Sequence, residues 1–466
     1  MSLSSYHELI ARKRVTFEAR GLSKVPALNS AMFPHQAHST DFALRTGCAA
    51  LFLDTGLGKS LCALDWGRVI AEHTNKPVLM LAPLAVAGQH EREAAKFGID
   101  AKAVREPEEI ASARVYITNY DRLDKFDAAR FGGVILDESS ILKSFTGATT
   151  RKLISTFAQT PFRLACTATP APNDHAELGQ HSEFLGALSQ SQMLARWFLH
   201  DSADTGTWRM KGHAVRDFWS WVASWARCVS KPSDLGFSDD GFVLPEMTMV
   251  KHIVEADRSI HAGEEKDGQA KLFRMPETSA TSIHREKRLT IDARAEKIAG
   301  LVAAEPNEPW VIWCDTDYEA DALTDRIPHA VEVRGSMRAE VKEERITAFS
   351  TGAAQIIITK PSVAGFGLNW QHCARMAFVG LSFSYESFYQ AVRRCWRFGQ
   401  SRPVNVHVAM ADTEAAIWDV VSRKSGDHDA MKREMTLAMK RASRSAREIE
   451  DYIPKKKAAL PAWIAA

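Results

Sequence analysis

The stretch Cys48-Ala49-Ala50-Leu51-Phe52-Leu53-Asp54-Thr55-Gly56-Leu57-Gly58-Lys59-Ser60 joins an apolar hexapeptide to a glycine turn, and residues 60–71 after it have helical spacing. Six consecutive apolar residues read as a buried parallel strand. Gly56 and Gly58 let the backbone curl so that successive N–H groups point inward at an anion. The helix that follows would present its positive end to the same anion. Strand, glycine turn and helix in this order imply an α/β fold with a phosphate-binding loop, formed by Thr55, Gly56, Leu57, Gly58, Lys59 and Ser60. Lys59 is the point charge for β- and γ-phosphates, and the Ser60 hydroxyl is a Mg²⁺ ligand. The full pattern opens with a glycine five positions before Gly58, where this chain has Leu53. An ordinary glycine turn between strand and helix is the plain alternative.

A second element weighs against that alternative. Val134-Ile135-Leu136 reads as a short buried strand ending in Asp137-Glu138-Ser139-Ser140. Ligands of open α/β sheets bind at the carboxyl ends of strands. Asp137 there would hold Mg²⁺, and Glu138 would polarise the attacking water as general base. Far downstream, Gln390, Arg394 and Arg397 supply what a second domain inserts to complete such a site.

Further blocks carry a resemblance. Phe33-Pro34-His35-Gln36, the run from Leu81 to Glu93, Asn119-Tyr120-Asp121, Asp137 to Ser140, and Thr167-Ala168-Thr169-Pro170 follow one another in the first half. The run from Val311 to Asp317, Ala364 to Asn369, and Gln390 to Gln400 follow in the second. Together they resemble the superfamily II helicases (DEAD/DEAH-related ATPases), in the order expected of them. The ending Arg397-Phe398-Gly399-Gln400 looks most like the Swi/Snf-type, chromatin-remodeller-like translocases, as do Leu244-Pro245 and Arg345 with Phe349. The similarity runs from about Phe33 to Val408, and the chain's small size suggests a bacterial or phage member. It implies ATP and Mg²⁺ as cofactors, Gln36 as reader of the adenine, Thr167 and Thr169 as coupling residues, and Gly365 and Gly367 as points of close approach to phosphate. It also implies that Arg394 and Arg397 are arginine fingers. Three departures stand out: Ser140 where the Asp-Glu box has His, Arg393 where the branch often has an acid, and Trp396 where it often has His.

Composition sets bounds. A chain of 466 residues exceeds what one core normally supports, so two or more domains are expected. The 59 Lys and Arg against 57 Asp and Glu leave a net charge of +2, so nucleic-acid binding needs a local basic cleft. The seven cysteines contain no CxxC pair, which argues for buried reduced thiols and against a zinc site. There is no apolar run of membrane-spanning length and no signal-peptide core, so a soluble cytoplasmic protein is expected.

Along the chain, strands are predicted at residues 78–81, 115–118, 134–136 and 162–167, and again at 310–314, 331–333, 355–359, 376–379 and 404–409. This rhythm predicts two RecA-like parallel-sheet lobes in tandem with a helical insertion between them. The boundaries are lobe 1 over 1–175 with the ATP loop, a Trp-rich helical insertion over 176–243, lobe 2 over 244–425 with the arginine fingers, and a basic tail over 426–466. Trp197, Trp208, Trp219, Trp221 and Trp225 at helical spacing read as packing residues before a base-stacking platform. Residues 230–241 read as a connector and 261–284 as an exposed loop. The basic tail reads equally as a solvated helix or a nucleic-acid contact.

The expectation is an ATP-dependent DNA translocase or helicase acting on duplex DNA, with single strands or RNA open and no membrane partner. Its rivals are a nucleotide-gated clamp or scaffold without sustained translocation, and an RNA-directed helicase. A fused nuclease or methyltransferase is disfavoured, because no further catalytic constellation is evident.

Overall fold

The computed structural model describes residues 16–83, 86–111, 114–143, 147–200, 208–255, 280–364 and 368–451. The first part of the chain supplies β1 (Cys48–Leu53), β2 (Val78–Ala82), β3 (Ala101–Ala103), β4 (Val115–Asn119), β5 (Gly133–Asp137), β6 (Phe162–Cys166), a hairpin of β7 (Phe198–His200) and β8 (Trp208–Met210), and β9 (Ala226–Val229). Seven of these form one sheet in the order β3-β4-β2-β5-β6-β1-β9, every pair parallel. Its helices include α1 (Pro34–Thr46), α2 (Lys59–Thr74), α3 (Ala87–Lys96), α4 (Ala148–Thr156), α5 (Leu178–Leu185), α6 (Gln190–Trp197) and α7 (Val215–Trp225). β1, β2, β4, β5 and β6 are buried along their whole length, the signature of a parallel sheet covered on both faces.

A second sheet follows, from β10 (Met247–Val254), β11 (Trp310–Trp313), β12 (Val331–Val333), β13 (Ile356–Thr359), β14 (Arg375–Phe378) and β15 (Val404–Ala411). Its order is β10-β15-β14-β11-β13-β12, again all parallel. Its helices include α8 (Ala280–Leu289), α9 (Ile291–Ala304), α10 (Asp317–Arg326), α11 (Ala339–Ser350), α12 (Pro361–Ala364), α13 (Tyr385–Val392) and the long α14 (Ala415–Asp451). Two tandem RecA-like lobes are therefore present, and each predicted strand lies within two residues of an observed one.

The stretch between the sheets does more than its sequence predicts. β9 pairs with β1, Ala50 opposite Ala226 through Leu53 opposite Val229, and so closes the first sheet beyond the phosphate-loop strand. Trp197, Trp219, Trp221 and Trp225 are buried, with Trp197 stacked on Trp221 at 4.6 Å between centroids, and Trp208 is half-buried. The four buried indoles belong to the same apolar cluster as Phe52, Leu79 and Leu136 of the first sheet. They pack; they offer no open stacking face.

The predicted tail is also corrected. Residues 415–451 form one helix that packs on α7 and β9 of the first lobe. Met431, Met435, Ala438 and Met439 are buried in the first lobe's core, because their spacing places them on one stripe of α14. The charged residues between them mask that stripe in the sequence. Lys455–Lys457, most of the predicted loop 261–284, and Gly365 and Gly367 lie outside the described residues. All seven cysteines are free and buried. Among the described residues no helix is long and apolar enough to cross a membrane.

Met435 is 2% exposed. Met435→Ala keeps helix propensity but opens a cavity, so a loss of about 2–5 kcal/mol is expected, read as a lower midpoint in thermal unfolding. An unchanged midpoint would mean that α14 does not seat on the first lobe.

Candidate functional site

The loop after β1 is held by two left-handed glycines, Gly56 at φ 95° and Gly58 at φ 80°. A Cβ on Gly58 would lie 2.1 Å from Gln36 Nε2, and one on Gly56 would lie 2.9 Å from the backbone nitrogen of Phe398. Both positions therefore demand glycine on conformation and on space. Gly58 caps α2, whose first residues are Lys59 and Ser60. Lys59 Nζ donates to Leu53 O at 2.8 Å. Burial pushes its pKa below the ordinary lysine value, against the pull of Glu138 and Asp137.

β5 ends in Asp137, which the sheet aims at the same loop. Glu138 follows with φ 51°, a left-handed backbone that costs a side-chain-bearing residue about 1–3 kcal/mol and concentrates at functional sites. Burial, reinforced by Asp137, raises the Glu138 carboxyl above its usual range, while Lys59 opposes the rise. Thr167 Oγ1 stands 3.5 Å from Glu138 Oε2, the outer limit of a hydrogen bond, and accepts from Thr169 N at 3.1 Å. The Thr169 hydroxyl is buried without a partner among the described residues.

The second sheet contributes α13 and the turn after it. Gln390 Nε2 reaches Glu138 Oε2 at 3.5 Å. Arg394 donates to Gln390 O and Gln390 Oε1, both at 3.0 Å, and to Leu368 O at 2.9 Å. Burial lowers the Arg394 pKa to about 10, and the neighbouring charge of Arg397 adds to this. Arg397 donates to the same Leu368 carbonyl at 3.1 Å, and its Nε is buried without a partner among the described residues.

These groups line one cavity of about 380 Å³ between the lobes: Gln36, Thr55, Gly56, Gly58, Lys59, Ser60, Asp137, Glu138, Arg394 and Arg397 all face it. Leu57, buried beside it, is held at its carbonyl by Gln36 Nε2 at 3.0 Å. Gln36 Oε1 meanwhile accepts from Phe33 N at 3.0 Å. The amide expected to read adenine is thus engaged at both ends with its own chain. Gly367, expected at this site, lies outside the described residues. Ser60 and Asp137 offer hard oxygen donors on the cavity wall, a set that suits Mg²⁺ completed by phosphate and water.

Sequence reading missed two contributors. His90 Nε2 is 2.8 Å from Asp137 Oδ2; burial opposes its charge, but Asp137 prevails, raising the His90 pKa and lowering that of Asp137. His181 on α5 lies 3.0 Å from Ser139 Oγ, tying the acidic loop to the helix behind it. Each is a lone histidine in sequence, with no spacing signal to mark it.

Residues 293–399 match the helicase conserved C-terminal domain. No curated protein matches the chain. Among solved structures the chain is similar to the Sulfolobus solfataricus SWI2/SNF2 ATPase core in complex with dsDNA, at 16% identity and a TM-score of 0.41, covering 91% of this chain and 98% of that one.

The sequence leads one to expect Lys59 to neutralise phosphate and Glu138 to act on water, and on that expectation their variants should part company. Lys59→Ala is expected to abolish triphosphate binding, and Glu138→Gln to keep binding while hydrolysis stalls. Binding by a fluorescent nucleotide and turnover by phosphate release check this. Near-normal turnover in Glu138→Gln would remove the residue from its assigned role.

Proposed function

We infer that this chain, a superfamily II helicase whose blocks are of the Swi/Snf type, is an ATP-driven motor that moves along duplex DNA. One observation carries the reading: Lys59 and Glu138 of the first sheet and Arg394 and Arg397 of the second face a single interlobe cavity. A half-site on each sheet makes hydrolysis depend on how closely the lobes approach.

In this assignment Lys59 neutralises the β- and γ-phosphates. Ser60 and Asp137 would hold Mg²⁺, which supplies charge stabilisation on the phosphoryl oxygens. His90 orients the Asp137 carboxylate. Glu138 orients water and takes its proton. Arg394 and Arg397 then leave the Leu368 carbonyl they share and stabilise the charge that develops on the transferred phosphoryl group. Thr167, next to Glu138, carries the state of the site toward Thr169 and the first lobe. The glycines at 365 and 367 are proposed as points of backbone approach to phosphate. The ending Arg397-Phe398-Gly399-Gln400 is what favours duplex DNA over RNA. With a net charge of only +2, grip on DNA rests on local phosphate contacts, so affinity should fall steeply with salt and vary little with sequence.

Turnover measured side by side with duplex DNA, single-stranded DNA and RNA tests the reading. Duplex DNA is expected to stimulate most, with a rate that grows with its length. Stimulation independent of length would point to a clamp instead of a motor. In the same assay Arg397→Ala should lower kcat by about 10³-fold while the ATP affinity of the open form changes little. Equal losses in affinity and rate would make Arg397 a ground-state binding residue.

A further inference from the structure

Asp54 immediately precedes the phosphate loop and is 5% exposed. Its carboxylate accepts from Arg393 Nη2 at 2.7 Å, from the Tyr389 hydroxyl at 3.2 Å, and from the Lys432 ammonium. Tyr389 and Arg393 come from the second lobe, and Lys432 from α14, 378 residues away in sequence. Aromatic rings wall the cluster in: Arg393 lies over Tyr389 and Trp396 at 5.3 and 4.8 Å, and Lys432 over Tyr389 at 5.2 Å. His428, one turn before Lys432, is buried against Tyr385 and Tyr389, with neither ring nitrogen bonded among the described residues. Burial keeps that imidazole neutral, with the Lys432 charge adding to the effect.

Any one of these charges buried alone would be costly, so Asp54 needs at least one of its two cationic partners. Burial works to raise the Asp54 pKa, yet Lys432 and Arg393 overcome it and lower the value to about 2. The placement is more telling than the strength. Asp54 is bonded in sequence to Thr55, which lines the nucleotide cavity, and Arg393 is bonded to Arg394, which lines its opposite wall. The ion cluster therefore joins the two half-sites one residue away from each.

We propose that Asp54, Arg393 and Lys432 are positioning residues for hydrolysis, a clasp that sets the distance between the phosphate loop and the arginine pair and ties both to the C-terminal helix. The proposal rests on the ATPase reading for its kinetic consequence, but the clasp itself is a matter of lobe geometry. Arg393, which departs from the acid common in the Swi/Snf branch, is here the natural partner of Asp54. Lys432 sits beside Met431 and Met435, so movement at the clasp is passed directly to the first lobe's core.

Lys432→Met leaves Asp54 paired with Arg393 and should preserve the fold, checked by circular dichroism. In the full chain, with saturating duplex DNA, kcat is expected to fall about tenfold, equivalent to ~1.4 kcal/mol, with the KM for ATP nearly unchanged. Lys432→Arg should restore most of the rate. Wild-type kcat in Lys432→Met, or equal losses in the Met and Arg variants, would overturn the proposal. Combining Lys432→Met with Arg393→Met should cost less than the product of the single losses, since both act through Asp54; multiplicative losses would also overturn it. Small-angle scattering reads the clasp without turnover: the double variant should expand with its secondary structure intact, and an unchanged radius of gyration would refute the clasp. A wild-type protein without turnover would count against the ATPase reading, while scattering still decides the clasp.

Discussion

Cationic charge packed into a cleft away from water is the constraint on which this molecule turns. Lys59, Arg393, Arg394, Arg397 and Lys432 converge from three segments, and a desolvated cation must be paired or hydrogen-bonded. Two of them settle on Asp54. The other three rest on backbone carbonyls, Lys59 on that of Leu53 and the arginine pair on that of Leu368. Carbonyl oxygens are partial charges, weaker partners than phosphate oxygens, so these side chains are held in place yet remain ready to exchange. The Leu53 carbonyl stands at the end of β1, whereas that of Leu368 lies in the chain between α12 and β14.

The meeting of motifs with fixed spacing was legible in the sequence, and their chemistry is a proposal. The loop from Asp54 to Ser60, the Asp137-Glu138 pair and the arginine pair each need particular residues at particular intervals, and all three meet in one cavity. Hydrophobic strands buried on both faces were legible for a similar reason, since continuous apolar runs have few other uses. What escaped reading depends on distant partners. β9 is only four residues, follows directly on an aromatic helix, and becomes a strand through the free edge of β1. The stripe of Met431, Met435 and Met439 was present at helical spacing, but Lys432, Arg433 and Glu434 between them gave the stretch a solvated character. Lys432 itself is nearly buried, because Asp54 compensates its charge.

The departures from the Swi/Snf pattern find local explanations in the same terms. Arg393 replaces an acid and faces one. Trp396 donates its indole N–H to Pro245 O at 2.8 Å, fastening the arginine turn to the chain that enters the second lobe. Ser140 donates to the Glu138 carbonyl at 3.4 Å. His181, arriving from α5 onto Ser139, gives the acidic loop a histidine contact by another route. Gln36 shows the opposite case, a residue in its expected place whose amide braces the phosphate loop and the start of α1.

The pairing of β9 with β1 bears on how the protein comes into being during synthesis. β1 stands between β6 and β9, so the strand carrying the nucleotide loop keeps an open edge until residue 229 has emerged. The core behind it still lacks its lid until residues 431–439 arrive, after the whole second sheet has been made. Non-local contacts of this span are slow to form and leave apolar surface uncovered meanwhile. A nascent chain can therefore hold its phosphate loop in sequence long before it holds it in shape. The final geometry of that loop becomes a late event in the life of the polypeptide, coincident with the docking of α14.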